Sequence, residues 1–502
     1  MVLWSLVRLA AEAAAVTEFW LVPDSESLSR EDLLALVAAQ QRTLGELTGL
    51  VEKLTGENQR LAARVAELER RLSRNSGNSN MPPSSDAFTK PARPAREGSE
   101  RRRGRRPGTP GSGLALVDDP DEVLNVFPPV CAGCGGEFAA PHSRGYTRRQ
   151  RRDIPLVTVR VTETRWHTVA CGCGALSTAT VPASTCDAPC YGPNLRALAV
   201  YLVVYQHVPV ARAAELIADL TGARVSTGWV AAQVPKAASL VAGSVRLIKA
   251  LLTLGHVLHA DESTTRIGAK RAWLHVACTE RLTFLALAPR SREGARHLGI
   301  LPGFRGTLVH DALALYDGFP EAAHQLCASH IIRELTALHE RYPAERWAEQ
   351  IRWALARLIE QARRARDAGL DHIPPELAAV YLRMFHQGVA VGLSRHPRTP
   401  GHGAQSDATN VLERLRDRAH DYLRFVHDLH VPATNNQGER DLRPVKTQVK
   451  ISGCHQSTEG AACWLTVRSY LSSAVKHGLG AFAAIHMAIS EQAWLPPIAL
   501  EA

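Results

Sequence analysis

Between residues 31 and 73, positions Leu33, Val37, Gln40, Leu44, Leu47, Val51, Leu54, Asn58, Leu61, Val65, Leu68 and Leu72 alternate spacings of four and three. This is a heptad seam, apolar except at Gln40 and Asn58. Val51, Asn58 and Val65 fall on a, and Leu54, Leu61 and Leu68 fall on d. Valine at a with leucine at d favours two parallel strands, and one Asn at a fixes their register. Arg64 at g and Glu69 at the next e have the spacing to pair between chains. The pattern predicts a coiled coil joining protomers into a homodimer or higher assembly; an amphipathic helix packed on its own protein is the alternative. The helix is expected to stop at Ser73–Asn80, since Pro82 and Pro83 cannot continue it.

The pattern then changes four times. Residues 74–127 are poor in core-forming side chains and read as a disordered linker. In residues 128–180, VTVRVTETRWHTVA alternates as strands do, between the turns CAGC and CGCG, predicting a small β-rich module. Residues 181–250 are helical in pattern: ARAAELIADLTG ends at Gly222, and Ser226 is placed to cap a second helix, a helix-turn-helix-like pair that any helical hairpin would resemble. From residue 251 to 480 the texture is α/β. HVLHADEST, RAWLHVAC and LTFLALAP read as three strands, the last two antiparallel neighbours. A helical SREGARHLGIL, the strand GTLVHDA, a turn at Asp317–Gly318, the strand AHQLC and the helix ASHIIRELTALH follow. Three strands, then alternating helices and strands, is the order of a ribonuclease H-like sheet. Residues 341–428 are too many for a bare loop, and Trp347, Trp353, Leu358 and Ile359 sit at helical spacing, so an all-helical insertion is expected there. Residues 1–30 form an N-terminal extension and 481–502 a tail.

Charge sharpens this outline. The 502 residues carry a formal net charge of +10, which favours anionic partners, nucleic acid first. The linker from Arg74 to Arg106 has nine basic residues against three acidic. Arg101, Arg102, Arg103, Arg105 and Arg106 suit phosphate contacts with little base selectivity, or a merely solvated linker. Arg144, Arg148, Arg149, Arg151 and Arg152 add a second basic patch. Ten clustered cysteines in a long chain argue for metal or core thiols in a reducing compartment, hence a cytoplasmic, nucleoid-associated protein. Arg8, Glu12 and Glu18 interrupt the apolar start of the chain, so no membrane partner is expected.

Two sites of chemistry stand out. Cys131, Cys134, Cys171 and Cys173 are two close pairs on Gly-rich turns, the donor set of a structural Zn2+ site, although the second pair has one intervening residue instead of two. Cys186 and Cys190 are spare. Asp261 and Asp311 end predicted strands, where ligands bind in open α/β sheets. Two such acids with one from a later helix would hold two divalent ions for in-line displacement at phosphorus. Each acid also has a plain reading: Asp261 and Glu262 as solvated strand-end residues, Asp311 as a helix cap, and Glu439, three residues after Asn436, as half of a capping box.

The chain resembles transposases of the insertion sequence 66 family over nearly its whole length. The resemblance is carried by NSGNSNMPPSSD, RRRGRRPG, CAGC and CGCG, YGPNLRALAVYLVVYQHVPVARA, HADEST, VHDALALYDGF, QLCASHIIREL, TNNQGERDLRPVKTQVKISG and STEGAACWLTVRSYLSSAVKHG, in that order. It implies a DDE-type catalytic domain with ribonuclease H-like core. The three acids would be Asp261, Asp311 and Glu439, with Glu262 and Asp317 second in rank, and with Mg2+ or Mn2+ as cofactor. The family's Cys–His element falls on Cys327 and His330, a pair that would shape the site, touch DNA or simply pack. Arg440, Arg443, Lys446 and Lys450 would hold phosphates near the ions, or form a solvated helix face. Partners would be double-stranded DNA, both terminal inverted repeats and target, and accessory proteins of the same element. Ser263 stands where the family often has Thr. A DNA-binding regulator without chemistry, and a nuclease that cuts without joining, are the alternatives.

Overall fold

The computed structural model describes residues 29–72, 114–137, 143–154, 157–180, 190–401, 403, 405–490 and 492–498. Arg101, Arg102, Arg103, Arg105, Arg106 and Cys186 lie outside the described residues.

The unit Met1–Phe88 contains helix α1, Arg30–Leu72, 43 residues long, about 65 Å at 1.5 Å per residue. Its start is capped reciprocally: the Ser29 N–H donates to Asp32 Oδ2 at 3.1 Å and the Asp32 N–H to Ser29 Oγ at 3.3 Å. The seam residues Leu47, Val51, Leu54, Leu61, Val65 and Leu68 are all exposed.

In the unit Thr89–Ala502, the cysteine module is sparse in regular structure. Strands β1 (Thr168–Ala170) and β2 (Leu176–Thr178) pair antiparallel around the second cysteine turn, with every residue exposed. Val157, Val159 and Val161 keep the alternation yet belong to no strand, and all are exposed. A two-stranded ribbon without a buried face is marginal, which is why the alternating pattern yields so little sheet.

Helix α2 (Pro193–Val200) runs through a π-helical turn, Tyr201–Tyr205, toward α3 (Val210–Thr221), which ends on Gly222 at φ +75°. Ser226 then caps α4 (Thr227–Leu254), its Oγ accepting from the Trp229 N–H at 3.1 Å. Helix α4 is long and apolar enough to cross a bilayer, but Val234, Val241, Val245 and Ile248 along it are buried in the core of this unit. The second helix therefore shares its core with the sheet that follows, whereas α3 buries Ala213, Ala214 and Ile217 in a separate cluster with α2.

That sheet has five strands: β3 (Val257–Ile267), β4 (Lys270–Cys278), β5 (Thr283–Leu287), β6 (Thr307–His310) and β7 (Ala323–Leu326), in the order β5-β4-β3-β6-β7. The first three form an antiparallel meander; β6 and β7 run parallel to β3. Gly268 at φ +54° makes the two-residue turn between Ile267 and Lys270, so β3 continues well past Asp261. Strand β6 stops at His310. At its start, a Cβ on Gly306 would lie 2.2 Å from the His256 carbonyl oxygen, so only glycine allows the approach to β3.

Alternation along β4 assigns the faces. Leu274, Val276 and Leu285 pack with α4 and with α12 (Thr458–Lys476). Leu258, Ala260 and Ala277 pack on the other face with Phe304, Leu308 and Tyr316. Between β4 and β6 the chain forms short helix α5 (Arg292–His297). After β7, α6 (Ala328–Arg341), α7 (Trp347–Asp367), α8 (Pro375–Arg395), α9 (Asp407–Asp417) and α10 (Ala419–His427) bury Leu335, Ile351, Leu355, Phe385 and Leu412 in a helical core of their own. Helix α11 (Asn436–Ser452) returns to the sheet, and α13 (Ala481–Ser490) packs Ala484 and Ile485 into the same core against α2, α4 and α12.

One buried ion pair locks α11 to the sheet. Asp441 Oδ2 accepts from Lys476 Nζ at 2.5 Å and from Thr283 Oγ1 at 2.7 Å, and its Oδ1 accepts from Gln437 Nε2 at 2.9 Å. The side chains are 8% and 16% exposed. Lys476→Met is expected to destabilise the chain by about 3–5 kcal/mol, because Asp441 stays buried without its cation. Adding Asp441→Asn should restore most of that loss. Urea unfolding of the single and double variants checks this, and equal stability of the single variant and wild type would contradict it.

Candidate active site

The site forms where β6 stops and β3 runs on. The parallel register pairs His259 with Val309. Asp261 and Asp311 each lie two residues beyond that pair, so they end up side by side. This refines the expectation: Asp311 does follow the last residue of its strand, but Asp261 is in mid-strand, registered with Val276 of β4. The hairpin turn at Gly268 is what carries β3 onward.

Strand alternation separates Asp261 from Glu262. Asp261 shares the face of Val276, on which α11 packs; Glu262 shares the face of Ala260 and Tyr316. The Glu262 side chain, 2% exposed, is fully engaged: Oε1 accepts from Arg290 Nε at 3.0 Å and Nη2 at 2.8 Å, and Oε2 from the Tyr316 hydroxyl at 2.8 Å. Asp317, the other second-rank acid, is bound instead to Arg418 Nη1 at 2.9 Å.

Glu439 reaches the site from the first turn of α11. It is not half of a capping box. The N-cap residue is Asn435, and its side chain makes no capping bond because it is used elsewhere. Asn435 Nδ2 donates to the Ala260 carbonyl at 2.9 Å, and Oδ1 lies 3.0 Å from His259 Nδ1. With Nδ2 committed, Oδ1 must accept, so His259 carries its hydrogen on Nδ1. Burial keeps His259 neutral by pushing its pKa down. The Asn435 N–H donates to Cys327 Sγ at 3.2 Å, and the Cys327 N–H donates to the His310 carbonyl at 2.8 Å. One buried Asn and one buried Cys thus tie together the strand of Asp261, the strand end before Asp311 and the helix of Glu439. Cys327 is buried and accepts a hydrogen bond there. His330, one turn on, is pushed down to about 4 by burial and by Arg333, and its Nδ1 has no hydrogen-bond partner. Arg333 Nη2 lies 3.8 Å from Glu439 Oε1.

Burial and neighbouring charge together set the electrostatics of the acids. Asp261 is raised from 3.8 to about 8, first by burial and then by the charges of Asp311, Glu262 and Glu439. Asp311 is raised to about 6 by burial and Glu262, partly offset by the Leu313 N–H and by Arg290. Asp261 Oδ1 accepts from the Glu262 N–H at 2.8 Å, and Asp311 Oδ1 from the Leu313 N–H at 3.3 Å. Among the described residues no three His, Cys, Asp or Glu side chains form a closed metal cage. The donor chemistry nevertheless fits a hard divalent ion: neighbouring carboxylates, raised by mutual repulsion, that a cation would relieve.

The family model described as Transposase IS66 family matches residues 189–463, a stretch that holds all of these acids. The chain belongs to the IS66 transposase family. It is thus a transposase, a DNA-processing enzyme whose family binds DNA. A family of unknown function matches residues 22–115, which include the heptad helix. No curated protein matches the chain.

Other predicted residues of the transposase fall outside this cluster. Arg440, Arg443, Lys446 and Lys450 are exposed along α11, and none has a carboxylate partner among the described residues. The two cysteine pairs occupy separate turns. Backbone N–H groups of Cys134 and Gly133 lower the Cys131 thiol, and that of Cys173 lowers Cys171. Each turn has the chemistry of half a zinc site, but the four thiols do not converge in a metal-holding group. The fully exposed β1–β2 ribbon supplies no core to press them together.

The acid cluster predicts a sign for the pH dependence. Folding raises the Asp261 pKa, so its contribution favours the folded state near pH 4 and is lost as pH rises toward about 8. In EDTA at pH 8, Asp261→Asn should therefore unfold at a higher temperature than wild type, with the difference vanishing near pH 4 and shrinking when magnesium is added. Thermal melts across that range decide; an Asn variant no more stable at pH 8 would rule out the strained cluster.

Proposed function

We propose that this transposase binds the terminal inverted repeats of its element, cleaves at the 3′ ends and transfers those ends to target DNA, in a DDE-type reaction on a ribonuclease H-like core. The observation that carries the reading is that the charge of Glu439 acts on both Asp261 and Asp311, and that of Asp311 on Asp261. The strand order, an antiparallel meander followed by two strands parallel to the first, supports the fold assignment.

Asp261, Asp311 and Glu439 would hold Mg2+ or Mn2+, two ions by the logic of such sites. Bound there, the ions would activate the attacking oxygen and stabilise the leaving one. The chain's own residues do the rest. Asn435 and Cys327 hold the two strands and α11 in register, so Glu439 stays near the aspartates. The exposed stripe Arg440, Arg443, Lys446 and Lys450 leads away from the acids along α11 and would grip successive phosphates. The basic linker and the α3–α4 pair would add contacts to the repeats. The seam of α1 would join protomers, since all ten of its apolar residues from Leu33 to Leu72 face solvent on a single chain.

Labelled terminal repeats, target DNA and magnesium test the chemistry. Strand-transfer products are expected from wild type, with losses of roughly a thousandfold or more in Asp261→Ala, Asp311→Ala and Glu439→Ala and with DNA binding retained in all four. Binding without cleavage by wild type would make the protein a regulator, and cleavage without joining a nuclease.

The zipper has its own test. Leu54→Glu with Leu61→Glu should convert the full chain from dimer or higher assembly to monomer in sedimentation. A wild type already monomeric at micromolar concentration would exclude it.

A further inference from the structure

We propose that Arg290 is a phosphate-binding residue of the acid site, and that Glu262 serves to hold it there. The inference rests on the transposase chemistry proposed above and assigns a substrate contact that the three acids do not supply.

The geometry is that of a guanidinium fixed on one edge and open on the other. Arg290 leaves β5 just before α5, on the sheet face opposite α11. Its Cζ lies 4.6 Å from the centre of the Trp273 ring, whose face fixes the plane of the guanidinium. Two of its N–H groups, one on Nε and one on Nη2, converge on Glu262 Oε1. A guanidinium has five N–H groups. The other three have no protein acceptor among the described residues, and the side chain is 39% exposed. Glu262 in turn is 2% exposed and is held from behind by the Tyr316 hydroxyl, so it cannot swing out with the arginine.

The guanidinium lies beside the acid cluster. Strand β6 ends at His310, which leaves a notch in the sheet beside Asp261 and directly before Asp311. Glu439 approaches this notch from the α11 face. Arg290 approaches it from the other, near enough that its charge acts on Asp311. A phosphodiester placed over the acids would therefore meet carboxylates on one side and three unspent, charge-assisted donors on the other. Arginine suits that task because its planar fork matches two oxygens of a phosphate, and because a donor set fixed in advance costs no reorganisation as charge builds on the transferring group. No bond to the arginine is made or broken; it donates hydrogen bonds only. The arrangement also gives Glu262 a role that its alternation-dictated position permits: it positions Arg290 rather than joining the aspartates.

A charge-deletion cycle tests this by binding alone. The probe is a duplex carrying the terminal inverted repeat, held in calcium, with the scissile phosphodiester either native or replaced by an uncharged methylphosphonate. Arg290→Ala is expected to weaken binding of the native end about tenfold and of the methylphosphonate end less than twofold. Glu262→Gln, which loosens the hold on Arg290, should show the same asymmetry at smaller size. Arg290→Gln keeps a donor toward Glu262 and serves if the Ala variant melts early. Equal weakening of both ends, or none, would overturn the proposal and leave Arg290 a structural partner of Glu262. A wild type that binds the terminal repeat no better than random duplex would sink the proposed function itself, and this contact with it.

Discussion

Everything at the site depends on unequal strand lengths. Strand β3 runs to Ile267 because a glycine turn feeds it into β4, whereas β6 stops at His310. Beyond that point β3 pairs with β4 on one side, and on the other makes only a single bridge from Ile267 to His455. The missing neighbour leaves Asp261 and Asp311 adjacent but not sealed under a strand, and gives later elements access to them. Had β6 continued in register with β3, both acids would lie inside a covered sheet, where unpaired charge is far too costly.

The notch is expensive even so. Burial and like charge raise Asp261 and Asp311 together, so the fold stores repulsion there. Such strain persists only where the surroundings over-determine it. Here the restraint comes from two buried polar ties on α11. At its N-terminus Asn435 binds the Ala260 carbonyl, His259 and Cys327. A turn later Asp441 binds Lys476, Thr283 and Gln437. Glu439 sits between these anchors. The helix cannot retreat from the aspartates without leaving buried polar groups unsatisfied, at about 1–3 kcal/mol each. Stability in this region is invested in holding like charges close.

How much of this was legible in the sequence follows from the range of each interaction. Local chemistry was read well: Gly222 and Ser226 bound the helices where their types require, and the apolar runs of β3 to β7 fall in the expected stretches. What failed was long-range. The VTVRVTETR alternation suggested strands, but among the described residues no strand pairs with it. The capping-box spacing at Glu439 was real as a spacing, yet the cap sits one residue earlier and its side chain turns to β3, some 175 residues away in sequence. Asn435, His259 and Arg290 carried no motif at all, since each acts through a partner on another element. One signal was available: strict alternation places Asp261 and Glu262 on opposite faces, so adjacent acids in HADEST could not both face α11. That alone separates the aspartate that faces α11 from a glutamate with another duty.

The separation also explains how acids and bases coexist in so small a space. A guanidinium on the Asp261 face would compete with any cation for the carboxylates. Arg333 is kept 3.8 Å from Glu439, a loose contact, and Arg290 is bound to the acid on the opposite face. Arg290 is close enough to temper the repulsion at Asp311 and far enough not to fill the site. Glu262 is what makes this possible for Arg290: it provides a buried counter-charge, fixed by Tyr316, that holds the guanidinium short of Asp311. The pair of adjacent acids is therefore a division of labour set by the two-residue period of a strand, with one carboxylate facing the notch and the other holding a cation at its rim.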